Sequence, residues 1–151
     1  MSSSALTHLV CSRTGERYDG DVVQGVSAVG AVLLARYDLE QAAATVTPAE
    51  IASRPPTLWR YHEVLPVREE RNVVTMGEGM TPLLPLPRYG AAIGVPKLLM
   101  KDEGMIPTGT FKARGAAVGV SRAAELGVRG VAMPTNGNAG SAWRRPRPVP
   151  E

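Results

Sequence analysis

The sequence predicts an α/β protein: a small β-rich N-terminal segment followed by the start of a parallel-sheet domain. Three observations carry that expectation. Residues 6–40 are short apolar or alternating segments separated by Gly, Asp and Ser, the pattern of brief strands and turns. An apolar run at Leu98–Met100 leads through a turn containing Gly and Pro into an Ala- and Val-rich segment at 111–126. A second short apolar run, Gly130–Met133, follows. Strand, helix and strand at that spacing describe a right-handed crossover between parallel strands.

Taken in order, HLVC, ERY and AVLLARYDL supply the first strands. Thr47-Pro48-Ala49-Glu50 starts a helix with a hydroxyl cap, Pro in the first position and Glu three after the cap. Arg54-Pro55-Pro56 stops it. Thr57–Val64 adds one or two turns with Trp59 and Leu65 inward, and Glu69–Arg71 is a charged surface stretch. Residues 77–96 are rich in Gly and Pro, with a short helix around Arg88–Ile93. Lys97–Lys101 reads as a strand whose apolar centre suits a sheet covered on both faces. Phe111–Leu126 is the strongest helix. Its small residues at 113, 116, 117, 120, 123 and 124 form one face, Arg122 and Glu125 lie outside, and Gly127 ends it.

After Trp143 the alternation of Pro with Arg and Val in RRPRPVPE cannot sustain a helix. This tail is expected to be extended or disordered, and the break reads as a lost frame or a truncation. The expected organisation is therefore 1–47 as a β-rich, ribbon-like segment, 48–143 as a partial larger domain, and 144–151 as a basic tail.

Composition narrows the function. The 151 residues have the length of one ordinary domain. A hydrophobic content of 44% with 21% charged residues is globular, and only 5% aromatics means an aliphatic core. No run approaches the ~18 apolar residues of a membrane span, so no membrane partner is expected. The N-terminus lacks the basic start and apolar core of a secretory signal. One cysteine excludes an internal disulfide framework, and a cytoplasmic location follows. The net charge of +3 is local, because residues 144–151 hold three Arg and one Glu, and without them it falls to +1. No basic face is left to track nucleic acid.

Two loops carry the chemistry. The run KDEGMIPTGTFKARG at 101–115 places Lys112 in the first turn of a helix, and PTNGNAG at 134–140 places Asn138 at the start of another. Both loops should open at the same sheet edge. Lys112 is hemmed by Phe111, Ala113 and Gly115, and a desolvated lysine becomes a nucleophile for carbonyls. The alternative is a solvated helix lysine. A nucleotide-binding loop does not fit, since Thr110 stands where its lysine belongs. Thr135–Ala139 can turn backbone amides toward a carboxylate, or can be no more than an Asn-Gly turn with an Asn cap. Cys11 has Thr14 where a zinc ribbon needs a second thiol, so no metal site is expected. His8 and His62 read as structural.

These residues resemble threonine synthase, a fold-type II pyridoxal-phosphate enzyme with a tryptophan synthase β-like fold. The resemblance covers about residues 8–143 and rests on HLVCSRTGERY, LLARYDLE, LWRYHEVLPV, Gly77-Glu78-Gly79-Met80-Thr81-Pro82-Leu83, PTGTFKARG and NGNAGSAW. Ile106 departs from it, standing where the family usually has Asn. The resemblance implies pyridoxal 5'-phosphate bound covalently at Lys112, with Asn138 on its phenolic oxygen. Thr135, Asn136, Gly137 and Ala139 would hold the substrate carboxylate. The implied reaction converts O-phospho-L-homoserine and water to L-threonine and phosphate. The fold would be incomplete, and the chain inactive alone. Alternatives are a non-catalytic remnant, a half-enzyme completed by a partner chain, or a related lyase such as threonine dehydratase or cysteate synthase; the partners expected are a C-terminal chain or further copies in a homo-oligomer.

Overall fold

The computed structural model describes residues 4–144; the expectation for the tail from residue 145 onward lies outside them. The N-terminal segment is a three-stranded antiparallel sheet in the order β2-β1-β3. Strand β1 (Leu6–Cys11) is central, flanked by β2 (Arg17–Tyr18) and β3 (Leu33–Tyr37). The register sets Leu9 against Tyr18 on one side and against Ala35 on the other. A shift between Leu6 and His8 bends the strand.

Helix α1 (Leu39–Thr45) follows at once. It is absent from the sequence reading, in which its first residues extended the strand. The signal for it is Asp38, whose carboxylate accepts the Gln41 amide at 2.8 Å as an N-cap. Helix α2 (Pro48–Ser53) has the expected capping box. Thr47 Oγ1 accepts from Glu50 N at 3.2 Å, and Glu50 Oε2 accepts from Thr47 N at 2.7 Å.

A 3-10 segment, Leu58–Val64, carries Trp59 into the core with Val67 and Ala117. The indole N–H donates to Val74 O at 3.2 Å, and Ser121 Oγ accepts the Val74 amide at 2.8 Å. Leu65, Val73 and Val118 close the cluster. Strand β4 (Leu83–Pro85), helix α3 (Pro87–Ala92) and strand β5 (Leu99–Lys101) come next. Helix α4 (Lys112–Glu125) buries Ala113, Ala116 and Ala117 completely. It ends at Gly127, whose φ of +71° supports the paired bonds Gly127 N to Ala124 O and Val128 N to Ala123 O. Helix α5 (Asn138–Arg144) packs back on α4.

Three expectations are corrected. First, β5 pairs with β4, antiparallel, with Leu83 opposite Lys101. Among the described residues 130–133 form no ladder. A parallel strand needs a neighbour to receive its amides, and no described strand lies beside this segment. Second, β5 is not covered on both faces, since Leu99 and Met100 are exposed. Third, Arg122 and Glu125 are not outside. Their side chains are 12% and 10% exposed and bond to each other. Arg122 also reaches Gly20 O and Asp21, while Glu125 accepts the Arg68 and Glu69 amides. The two charges are drawn inward because Arg122 joins α4 to the Gly20 and Asp21 turn after β2, and Glu125 joins it to the backbone at Arg68 and Glu69.

Candidate functional site

Lys112 is the first residue of α4, and the loop before it is built by local bonds. Asp102 Oδ1 accepts the Gly104 amide at 2.9 Å, and Ile106 O accepts Gly109 N at 2.7 Å. Gly109 sits at φ +70°, where a side chain would be strained. Ile106 is buried under the loop. These contacts turn the chain so that Ala113, Ala116 and Ala117 face the core and Lys112 faces out. Lys112 is exposed, with Nζ 4.6 Å from the centre of the Phe111 ring. The sequence expectation of a desolvated amine is therefore corrected: the flanking apolar residues leave the amine in solvent, against one aromatic face.

The second loop is shaped by Thr135. Its hydroxyl oxygen accepts Gly137 N at 3.1 Å and Gly140 N at 2.8 Å. Gly137 lies at φ +128°, and Gly137 O accepts Ser141 N to begin α5. Asn138 is the first residue of that helix. A methyl group on Gly140 would fall 2.6 Å from Thr135 Cγ2, so Thr135 and Gly140 fit only as this pair.

The two loops meet. Lys112, Asn138, Thr135, Asn136 and Ala139 line one open cavity of ≈ 490 Å³, together with Pro134. Gly137 lines an adjoining hollow with Thr135, Gly140, Ser141 and Arg144. Phe111 enters the sequence analysis only as an apolar neighbour of Lys112, although an aromatic residue immediately before a lysine can offer it a π face. Arg144 carried no signal.

Among the described residues no group of three His, Cys, Asp or Glu side chains is placed to hold a metal. Cys11 is buried and its thiol donates to Ser27 Oγ at 3.2 Å. Hydrogen bonding to Ser27 and Thr14 pulls its pKa down to about 7. No helix among these residues is long and apolar enough to cross a membrane.

Residues 74–144, which contain both loops, match the family model described as pyridoxal-phosphate dependent enzyme. The match takes in just under half of the 151 residues, and this part of the chain is similar to that family. Pyridoxal phosphate is the family's cofactor. Its curated relatives include threonine synthases. That of Methanocaldococcus jannaschii is 38% identical over 132 residues, covering 87% of this chain and 33% of the relative. That of Methanosarcina acetivorans is 40% identical over 136 residues, covering 89% and 33%. That of Halalkalibacterium halodurans is 45% identical over 85 residues, covering 56% and 24%. The chain thus spans about a third of the length of the first two. No solved structure matches it.

Proposed function

We propose that this chain supplies the lysine-bearing part of a threonine synthase-type site for pyridoxal phosphate. The observation that carries the reading is the cavity shared by Lys112 and Asn138, which lie on different helices. The donor set suits the group. A primary amine can join to the aldehyde carbon, and a carboxamide N–H can donate to the ring oxygen. When bound, the cofactor supplies an electron sink. Lys112 would take and return protons at the substrate carbons, helped by its exposed, mobile stem. The side chains of Thr135 and Asn136, with the amides of Gly137 and Ala139, would orient the substrate carboxylate.

The reaction proposed is loss of phosphate from the γ-carbon of O-phospho-L-homoserine and addition of water at the β-carbon, giving L-threonine. The relatives of that name support it. Threonine dehydratase or cysteate synthase chemistry is the competing class. Phosphate release from O-phosphohomoserine, set against oxoacid production from threonine, separates them. A second reading is favoured by one observation. Val120, Ala123, Ala124, Val131, Met133 and Trp143 line an open apolar hollow of ≈ 790 Å³. On that reading the chain is non-catalytic alone, as a remnant or as half of a split enzyme. Activity on co-expression with the remaining two thirds of a relative, and not with either part alone, is the outcome it requires.

The direct test uses the cofactor rather than turnover. The chain has three lysines, Lys97, Lys101 and Lys112, so adducts are easily mapped. After incubation with pyridoxal phosphate and borohydride reduction, peptide mass spectrometry should place the gain on Lys112, and Lys112→Ala should abolish it. An even spread over the three lysines would sink the proposal.

A further inference from the structure

A second cavity lies between the Leu58–Val64 segment, the Gly79–Met80 turn, the end of β5 and α4. Its volume is ≈ 150 Å³, and Thr57, Arg60, Tyr61, Lys101 and Arg114 line it. Three of these are cations with donors to spare. Lys101 Nζ spends one N–H on Thr81 O at 2.8 Å and keeps two. Arg114 spends Nε and Nη2 on the Glu103 carboxylate at 2.7 and 3.0 Å, and Nη2 also meets Thr81 Oγ1 at 3.3 Å. Its Nη1 has no hydrogen-bond partner among the described residues. Arg60 commits Nε and Nη2 to Ile51 O and Ala52 O, but Nη1 meets only Met80 Sδ at 3.3 Å, a weak acceptor. The Thr57 hydroxyl does not cap its own helix.

Two carboxylates stand near. Glu103 already accepts from Arg114 and from Thr81 Oγ1. Glu78 is wholly buried and accepts from Thr75 Oγ1 and Met76 N. Three cations against two committed carboxylates leave positive potential in the cavity, and the spare donors reach it from a turn, a strand and a helix. A carboxylate offers two oxygens whose acceptor positions lie in one plane. A tetrahedral phosphate offers more oxygens, spread in three dimensions, and a larger charge, and Arg and Lys are its usual partners.

We propose that this cavity binds a phosphate group, free or as a small monoester, at a site separate from the lysine loop. Arg114 and Lys112 are two residues apart on α4, about 200° around its axis, so the cavity and Lys112 lie on opposite sides of the helix. The site is independent of any cofactor at Lys112.

The test is calorimetric titration of the full chain with inorganic phosphate at low chloride. Saturable binding at one site per chain is expected. Lys101→Met should weaken it by about tenfold, as for the loss of one charge-assisted hydrogen bond. Lys101→Arg should restore it, and Lys112→Ala should leave it unchanged. Thr57→Val, which keeps the packing and removes the hydroxyl, should weaken it by a smaller factor and carries the test if Lys101→Met fails to fold. O-phospho-L-serine distinguishes the source: competition with phosphate that vanishes in Lys101→Met assigns the site to monoesters as well, and its absence to free phosphate. No saturable heat up to about 20 mM, a range that would still reveal millimolar binding, overturns the proposal. So does binding that survives in Lys101→Met and is lost in Lys112→Ala.

Discussion

Asp21 shows how a single half-exposed carboxylate can join two parts of a chain. Its Oδ1 accepts from Arg68 Nε at 2.7 Å and from Arg122 Nη2 at 2.5 Å, and Oδ2 accepts from Arg68 Nη2 at 2.9 Å. Arg68 also donates to Leu6 O, and Arg122 to Gly20 O. The β-sheet, the segment after Trp59 and α4 therefore meet at one charge. Hydrogen bonds from Arg68, then from Arg122, pull the Asp21 carboxyl down to about 2 against an ordinary value of 3.8. Arg114 and Thr81 pull Glu103 down to about 2 from 4.5. Both folded values are depressed, so the stability these groups contribute is complete above the unfolded values and is lost as pH falls toward 2. Thermal melts should lose midpoint steeply between pH 4.5 and 2. Asp21→Asn should flatten part of that slope and destabilise the neutral protein by about 1 kcal/mol, since the carboxylate is 50% exposed and screened. An unchanged acid slope in Asp21→Asn would mean that Asp21 does not carry the junction.

Among the elements, the packing of α5 on α4 positions the site. A methyl group added to Gly119 would lie 2.4 Å and 2.7 Å from two ring carbons of Trp143. Gly119→Ala should therefore push Trp143, and with it the helix that begins at Asn138. A loss of about 1–3 kcal/mol is expected for such overpacking, read by urea unfolding with a shift in Trp emission. Gly115, on the same helix, has nothing within 4 Å of the same added atom. Gly115→Ala should be neutral or stabilising by up to about 1 kcal/mol through helix propensity alone. Equal effects at the two positions would refute the contact.

The elements also show what could be read in the sequence. The Thr47 capping box, the Gly127 stop and the first turn at Lys112 were legible because each depends on neighbours within a few residues. The inward turn of Arg122 and Glu125 was not, because their partners Asp21 and Arg68 are distant in the chain. The meeting of Lys112 and Asn138 was legible from two similar loops following successive apolar runs. The pairing partner of β5 was not, since an apolar run of three residues does not specify the direction of its neighbour. The exposure of Lys112 was misread because, of its apolar neighbours in sequence, only Ala113 turns into the core, while Phe111 is itself exposed beside the amine.

At the scale of the whole molecule, apolar surface is left open in both halves. The N-terminal segment exposes Val22, Val23, Val26, Val29 and Val32, and the lysine half, which buries Ile106, Ala113, Ala116, Ala117 and Ala142, leaves other apolar residues open. Val131 is 55% exposed and Met133 37%, beside the hollow lined by Val120, Ala123 and Ala124. Phe111, Leu99 and Met100 are exposed as well. The segment around Val131 belongs to no helix or ladder among the described residues. An apolar segment outside any ladder can receive another strand, and an open apolar patch of this kind draws dyes and partners. The chain should therefore bind anilinonaphthalene sulfonate in native buffer without denaturant and associate as its concentration rises. Val131→Lys places a charge in the centre of this face. It should reduce both dye binding and association, with a change in unfolding free energy within about 0.5 kcal/mol, because the residue it replaces is already mostly in water. Sedimentation velocity across a concentration series, run with a melt of the same samples, decides the matter. A monomer at all concentrations with no dye uptake would show that the face does not act as a docking surface. Association that Val131→Lys leaves intact would place the contact elsewhere on the molecule.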